Sequence, residues 1–246
     1  VGASFARDPR IRYHYQDNRQ LNGARNTGVA LATGEYIGFL DDDDEFLPNH
    51  LEVLKQTIQD DNGQHDIYRS GEILRRGEKD SLAHNYQNGQ DILPQYWQHV
   101  TGMFGMLISA EVIKGYTFNE DHLLLDDFYW LNQVLLSANL YQIDAHTAVV
   151  NLHPDQRSTT YLTDKLLEQN ISRLAQAYNI PGVPERVPFE SYRQQIVHQY
   201  LHYSRQLARD GQRLKALKTW KESLSYTRAQ NTRELMRTLV MIGTGR

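Results

Sequence analysis

Five consecutive acidic residues, Asp41-Asp42-Asp43-Asp44-Glu45, follow directly on the short apolar run Glu35-Tyr36-Ile37-Gly38-Phe39-Leu40. Carboxylates held about 4 Å apart repel by roughly 4 kcal/mol per pair at an effective dielectric near 20. A fold that fixes several of them at the end of a strand therefore either leaves them to water or holds a cation among them. The first alternative is a solvated acidic turn ahead of a helix opened by Pro48. The second is an all-oxygen site for Mg²⁺ or Mn²⁺, ions that in turn bind phosphate oxygens. Open α/β sheets bind ligands at the carboxyl ends of their strands. The acids alone leave these two readings level.

Around this run the chain alternates between strand and helix patterns. Ile11 to Tyr15 has the alternation of a strand, Asn22 to Thr33 has helical spacing with Asn22 as N-cap, and Pro48 opens a helix to Asp61. These segments predict one β-α-β unit of a mostly parallel sheet. Strands are expected at 66–74, 79–86, 106–109 and 140–152, and helices from Ala110 and over 127–138. Beyond Thr163 the pattern is helical, broken at Pro181-Gly182-Val183-Pro184 and at Gly211.

Composition narrows the function classes. The chain of 246 residues has no Cys, which excludes disulfides, iron–sulfur clusters and Cys-ligated zinc. No apolar run reaches the roughly 18 residues of a membrane-spanning helix. The formal charge of −4 is uneven: residues 1–160 carry −11 and residues 161–246 carry +7. The basic half is read either as a solvated helical face or as a peripheral contact with an anionic membrane surface.

The segment around the acids decides between water and cation. Asn18-Arg19-Gln20-Leu21-Asn22-Gly23-Ala24-Arg25-Asn26-Thr27-Gly28, then Ala32-Thr33-Gly34-Glu35-Tyr36-Ile37-Gly38-Phe39-Leu40-Asp41-Asp42-Asp43-Asp44, then Phe46-Leu47-Pro48 resembles the signature of family 2 glycosyltransferases of the GT-A fold. The match runs over about 35 residues. Gln20 departs from it, because the family usually has Gly there. The resemblance implies an α/β domain with a Rossmann-like mostly parallel sheet over 1–160 and a C-terminal α-helical extension over 161–246. It implies roles as well: Asp43 ligates Mn²⁺ or Mg²⁺, Asp41 and Asp42 face the donor, and Arg25 contacts the nucleotide. An alternative for Arg25 is a surface ion pair with the acids.

Asp126-Asp127-Phe128-Tyr129-Trp130-Leu131 is similar to the family's acidic helix start, which makes Asp127 the expected base and leaves Asp121 and Asp126 as competitors. In-line displacement with inversion needs such a carboxylate on the acceptor side. The alternative is an acidic residue favoured at a helix N-terminus by the macrodipole. His153 matches a family position near the metal, and Arg157 is a candidate phosphate partner.

The family's opening strands, which carry a P-x-Y-N-like segment and an Asp pair, have no counterpart here. The resemblance thus places about fifty residues before Val1 and implies weak donor binding by the chain alone. The implied function is a metal-dependent inverting hexosyltransferase using a nucleotide-sugar donor and a glycan or lipid-linked acceptor. No nucleic-acid partner is expected, and the implied location is cytoplasmic, peripheral to the membrane. The alternative is a non-catalytic fragment or interaction module. A calcium loop is excluded because Phe46 stands where that loop needs Gly.

Overall fold

The computed structural model describes residues 8–121, 125–153, 162–227 and 231–244. Arg157 lies outside them. The first half contains α1 (Gln20–Leu31), β1 (Tyr36–Ile37), β2 (Glu45–Phe46), α2 (His50–Asp60), β3 (Ile67–Arg76) and β4 (Lys79–Leu82). There follow α3 (Ile92–Gln98), β5 (Met106–Ser109), α4 (Ala110–Ile113), α5 (Asp126–Ser137) and β6 (Leu140–Asn151). The C-terminal helices are α6 (Asp164–Tyr178), α7 (Val183–Arg186), α8 (Phe189–Arg209), α9 (Arg213–Ser223) and α10 (Thr232–Thr244).

Local chemistry explains several of these boundaries. Asp91 caps α3 by accepting from Leu93 N at 3.0 Å, and Thr163 Oγ1 caps α6 by accepting from Leu166 N at 3.2 Å. Such caps satisfy amide donors that the first turn leaves without helical partners. Gly77, at φ +58°, closes the β3–β4 hairpin in a conformation costly for other residues.

The sheet runs β1-β5-β3-β6-β2, with β4 also beside β3. Here the expectation of a mostly parallel sheet is corrected. β3 and β6, the two long strands, are parallel, but β1–β5, β3–β5, β3–β4 and β2–β6 are antiparallel. Apolar patterning marks a strand without marking its direction. The hairpin at Gly77 makes β4 antiparallel to β3, because so short a turn must reverse the chain. Ile11 to Tyr15 is likewise outside any strand, with Tyr13 and Tyr15 exposed. Asn22 is buried within α1 rather than capping it.

Between the paired stretches, the β3–β6 register shifts at Gly71. A Cβ on Gly71 would sit 2.5 Å from the His146 ring, so the absent side chain is what lets β6 pack there.

The main core lies between the sheet and the helices, around Trp97, Phe118, Phe128, Trp130 and Leu131. Leu174 and Ala177 of α6 and Ile196 of α8 belong to the same apolar cluster. The Trp97 indole donates to Asn132 Oδ1 at 2.6 Å, which satisfies its one polar atom inside the core. The basic helical half is thus packed into the interior that supports α5. Deleting a side chain of this size typically costs about 3–5 kcal/mol.

Candidate active site

The acidic turn is anchored from both sides. β2 pairs with the end of β6, Glu45 opposite Val149 and Phe46 opposite Ala148. Asn151, at the end of β6, donates its backbone N–H to Asp44 Oδ1 at 2.9 Å and its side-chain amide to the Asp43 carbonyl at 2.9 Å. Beneath the turn, Phe46 stacks on His50 at 3.8 Å and on Phe104 at 5.2 Å. Burial pushes the His50 imidazole down to about 4, so it is neutral where it meets Thr147 Oγ1 at 2.8 Å.

So held, Asp41, Asp43 and Asp44 bring carboxylate oxygens within 4.8 Å of one another. Burial pushes the Asp41 and Asp44 carboxyls up from the usual range. For Asp41, Arg25 opposes the rise, while Asp43, Asp127 and Asp42 reinforce it. His153 Nε2 meets Asp43 Oδ2 at 3.1 Å. Asp42 is exposed and faces away from the cavity lining, and Asp44 takes the third place in the cluster. A hydrogen bond from Asp44 N to the Asp41 carbonyl, at 3.3 Å, folds the run back so that residues 41 and 44 converge.

These acids border a cavity of about 400 Å³ that also receives Arg25, Glu72, Gly102 and Asp127. Arg25 Nη2 lies 3.7 Å from Asp41 Oδ1, and the guanidinium also rests against the Phe39 and Phe118 rings. The ion pair with the acids and a place inside the cavity are therefore both realised. Asn26 braces α1 instead, donating to the Phe118 carbonyl and accepting from Phe118 N, each at 2.9 Å.

Asp121, Asp126 and Asp127 sit in three different environments. Asp121 is exposed. Asp126 is buried in an ion pair with Arg173 of α6 and accepts from Asn22 Nδ2 at 2.9 Å. Asp127 has one oxygen on its own helix, accepting from Phe128 N at 2.8 Å. Burial pushes its carboxyl above the usual range, with Arg25 opposing. Gly102 keeps space beside it: a Cβ there would lie 4.0 Å from Asp127 Oδ2.

Sequence reasoning missed Glu72, a buried acid that accepts from Arg69 Nη2 at 2.9 Å and whose carboxyl burial pushes up. Its signal was a charged residue inside an otherwise buried strand. It also missed Asn22 and Asn151, whose positions carry no local sign of what they brace.

Comparison with known proteins finds a family for the stretch that carries the acidic cluster. Residues 3–115 match the family described as glycosyl transferase family 2. The glycosyltransferase YibD of Escherichia coli is 26% identical over 78% of this chain and 62% of its own length. Glycosyltransferase GlyG of Streptococcus pneumoniae is 29% identical over 49% of this chain and 43% of its own length. The GalNAc(5)-diNAcBac-PP-undecaprenol beta-1,3-glucosyltransferase of Campylobacter jejuni is 27% identical over 55% of this chain and 43% of its own length. The chain thus spans less than two thirds of each of these relatives. Residues 3–115, which hold α1, the acidic cluster and most of the sheet, are a glycosyl transferase family 2 domain, and the family implies a GT-A fold.

Proposed function

We propose that the chain is the catalytic part of a metal-dependent, inverting hexosyltransferase that moves a sugar from a nucleotide-sugar donor to the hydroxyl of a glycan or lipid-linked acceptor. One observation carries this reading: a single cavity joins the three-carboxylate cluster to a desolvated Asp127, with Arg25 acting electrostatically on both.

The residues fit a divalent cation. Asp41, Asp43 and Asp44 offer hard oxygen ligands, and like charges crowded in a partly desolvated turn are relieved by a cation. His153 adds a nitrogen beside Asp43. Bound there, Mn²⁺ or Mg²⁺ supplies positive charge to the departing diphosphate.

The chain's own groups do the rest. Arg25 holds donor phosphate oxygens, and Asp41 faces the donor, while Asp42, outside the cavity lining, is left without that role. Asp127 takes the proton of the acceptor hydroxyl as that oxygen attacks the sugar carbon opposite the leaving diphosphate. A carboxylate whose pKa is raised toward the working pH is the stronger base, the direction general-base chemistry favours.

For the location, the helical half supports a peripheral contact with a membrane surface. Among the described residues no helix is long and apolar enough to cross a membrane. α9 and α10 expose apolar Leu214, Met236 and Val240 and also basic Arg213, Lys218 and Arg237. That mixture suits a peripheral contact with anionic lipid on the cytoplasmic side.

Calorimetric titration with Mn²⁺ and a panel of nucleoside diphosphates tests the cluster. Asp43→Ala should weaken the joint binding roughly thirtyfold or more, the equivalent of ~2 kcal/mol for a charged ligand lost. Unchanged binding in that variant would remove the metal site from the account.

A further inference from the structure

A second cavity, of about 590 Å³, lies between the catalytic half and the helical half. It shares Val100 and Leu125 with the first, so the two spaces abut across one thin wall. Leu125 is held at φ +56° as it leads into α5, a strained conformation for a bulky residue at the point where the two cavities meet. The first cavity ends there in Asp127, and the second opens beyond it toward α8.

The lining of this second space is unusual for its amides. Gln98 of α3 and Gln194, Gln195 and Gln199 of α8 contribute to it, along with His198. Gln195 gives its Nε2 to the Trp97 carbonyl at 2.8 Å, and Gln199 receives Asn170 Nδ2 on its Oε1 at 3.1 Å. Those bonds fix both side chains and leave further capacity on each, the carbonyl of Gln195 and the N–H pair of Gln199. Phe128 and Leu174 give the cavity an apolar patch. The carboxylate in the lining, Glu234, is engaged by Arg205 Nη1 at 3.1 Å.

Amides that both donate and accept, set against an apolar patch, match the two faces of a pyranose ring, hydroxyls on its rim and C–H groups on its plane. With its carboxylate already paired, the lining favours an uncharged ligand over an ionic one. A volume in the range of ordinary small-molecule sites leaves space for such a ring.

We propose that this cavity is the acceptor subsite, in which α3 and α8 grip a neutral hexopyranose unit of the acceptor glycan while the hydroxyl to be glycosylated reaches over Val100 and Leu125 to Asp127. The assignment rests on the proposed transferase reading of the first cavity, and it gives the helical half a part in substrate choice.

The test is titration of the chain with neutral methyl hexopyranosides (gluco, galacto and 2-acetamido-gluco) and with anionic methyl glucuronide, followed by NMR. Two variants accompany it, both at exposed positions so that folding is preserved: His198→Trp, which fills the cavity, and Gln98→Ala, which removes an amide. At least one neutral glycoside should bind, methyl glucuronide should bind more weakly, and each variant should weaken the neutral ligand by about tenfold. Failure of every neutral glycoside to bind, equal binding of the glucuronide, or binding indifferent to both variants would overturn the proposal. The Mn²⁺–nucleotide titration reports on the first cavity alone. Loss of that signal with glycoside binding intact would count against the transferase reading, and the reverse pattern against the acceptor subsite.

Discussion

Asp126 and Asp127 are adjacent and chemically identical, yet the fold gives them opposite surroundings. Asp126 is consumed by Arg173 and Asn22 inside the protein, while Asp127 is left desolvated at the cavity. Sequence pattern places both at a helix start and cannot separate them, because the partner that occupies Asp126 comes from α6. The same holds for the acidic run, where a turn hydrogen bond brings Asp44 beside Asp41 and leaves Asp42 outside. His50 shows the converse, a buried group whose environment keeps it neutral. Its pKa is depressed to about 4, so the folded state binds fewer protons than the unfolded chain between that value and the ordinary histidine range. Its stabilising contribution is full above about pH 6.5 and is lost as pH falls toward 4. Asp41, Asp44 and Glu72 are shifted upward and act in the opposite sense, with stability lost as pH rises through their raised values. His50→Gln keeps a hydrogen-bonding group for Thr147 but does not titrate, so comparison of the two proteins isolates His50. Urea unfolding across that window should show the wild type losing on the order of 2–3 kcal/mol more than the variant on acidification. Parallel profiles would show that His50 does not titrate on unfolding.

At the scale of elements, the strands and helices from Ile67 onward were largely legible. β5 and α4 meet at Ser109 and Ala110 as the pattern required, and the breaks near Gly182 and Gly211 fall where helices end. What stayed hidden was strand direction and the fate of Ile11 to Tyr15, since both depend on partners rather than on local residues. Gln20 was visible as an oddity, the residue that stands where the resembling family has Gly. The structure supplies the reason to care: Gln20 sits at φ +59° as the first residue of α1, the helix that carries Arg25. An L-residue in the left-handed region costs about 1–2 kcal/mol, partly offset by the greater unfolded-state freedom of glycine. Gln20→Gly should therefore stabilise the protein by about 0.5–1 kcal/mol, seen as a raised urea midpoint with an unchanged slope. A lowered midpoint would mean that the Gln20 side chain supports α1 in a way its exposed position does not reveal.

For the whole molecule, the acidic and basic stretches of the chain meet in one core. The acidic half carries the cluster and the proposed base, and the basic half supplies α6 and α8, whose Arg173 pins the start of α5 and whose Leu174 and Ile196 complete the core. A change in charge and pattern along the chain was legible, but not the depth to which the C-terminal helices enter the acidic half. That would need knowledge of which face of each helix is covered. The central claim concerns the first cavity: its acids and Asp127 together transfer a sugar from a nucleotide donor. Its most direct test is release of nucleoside diphosphate from a panel of nucleotide sugars, followed with Mn²⁺ or excess chelator in wild type and Asp127→Asn. The account predicts turnover that requires the metal and falls by about two or more orders of magnitude in Asp127→Asn, the range a general base contributes. Turnover that survives the chelator, or an Asp127→Asn variant as fast as wild type, would contradict it.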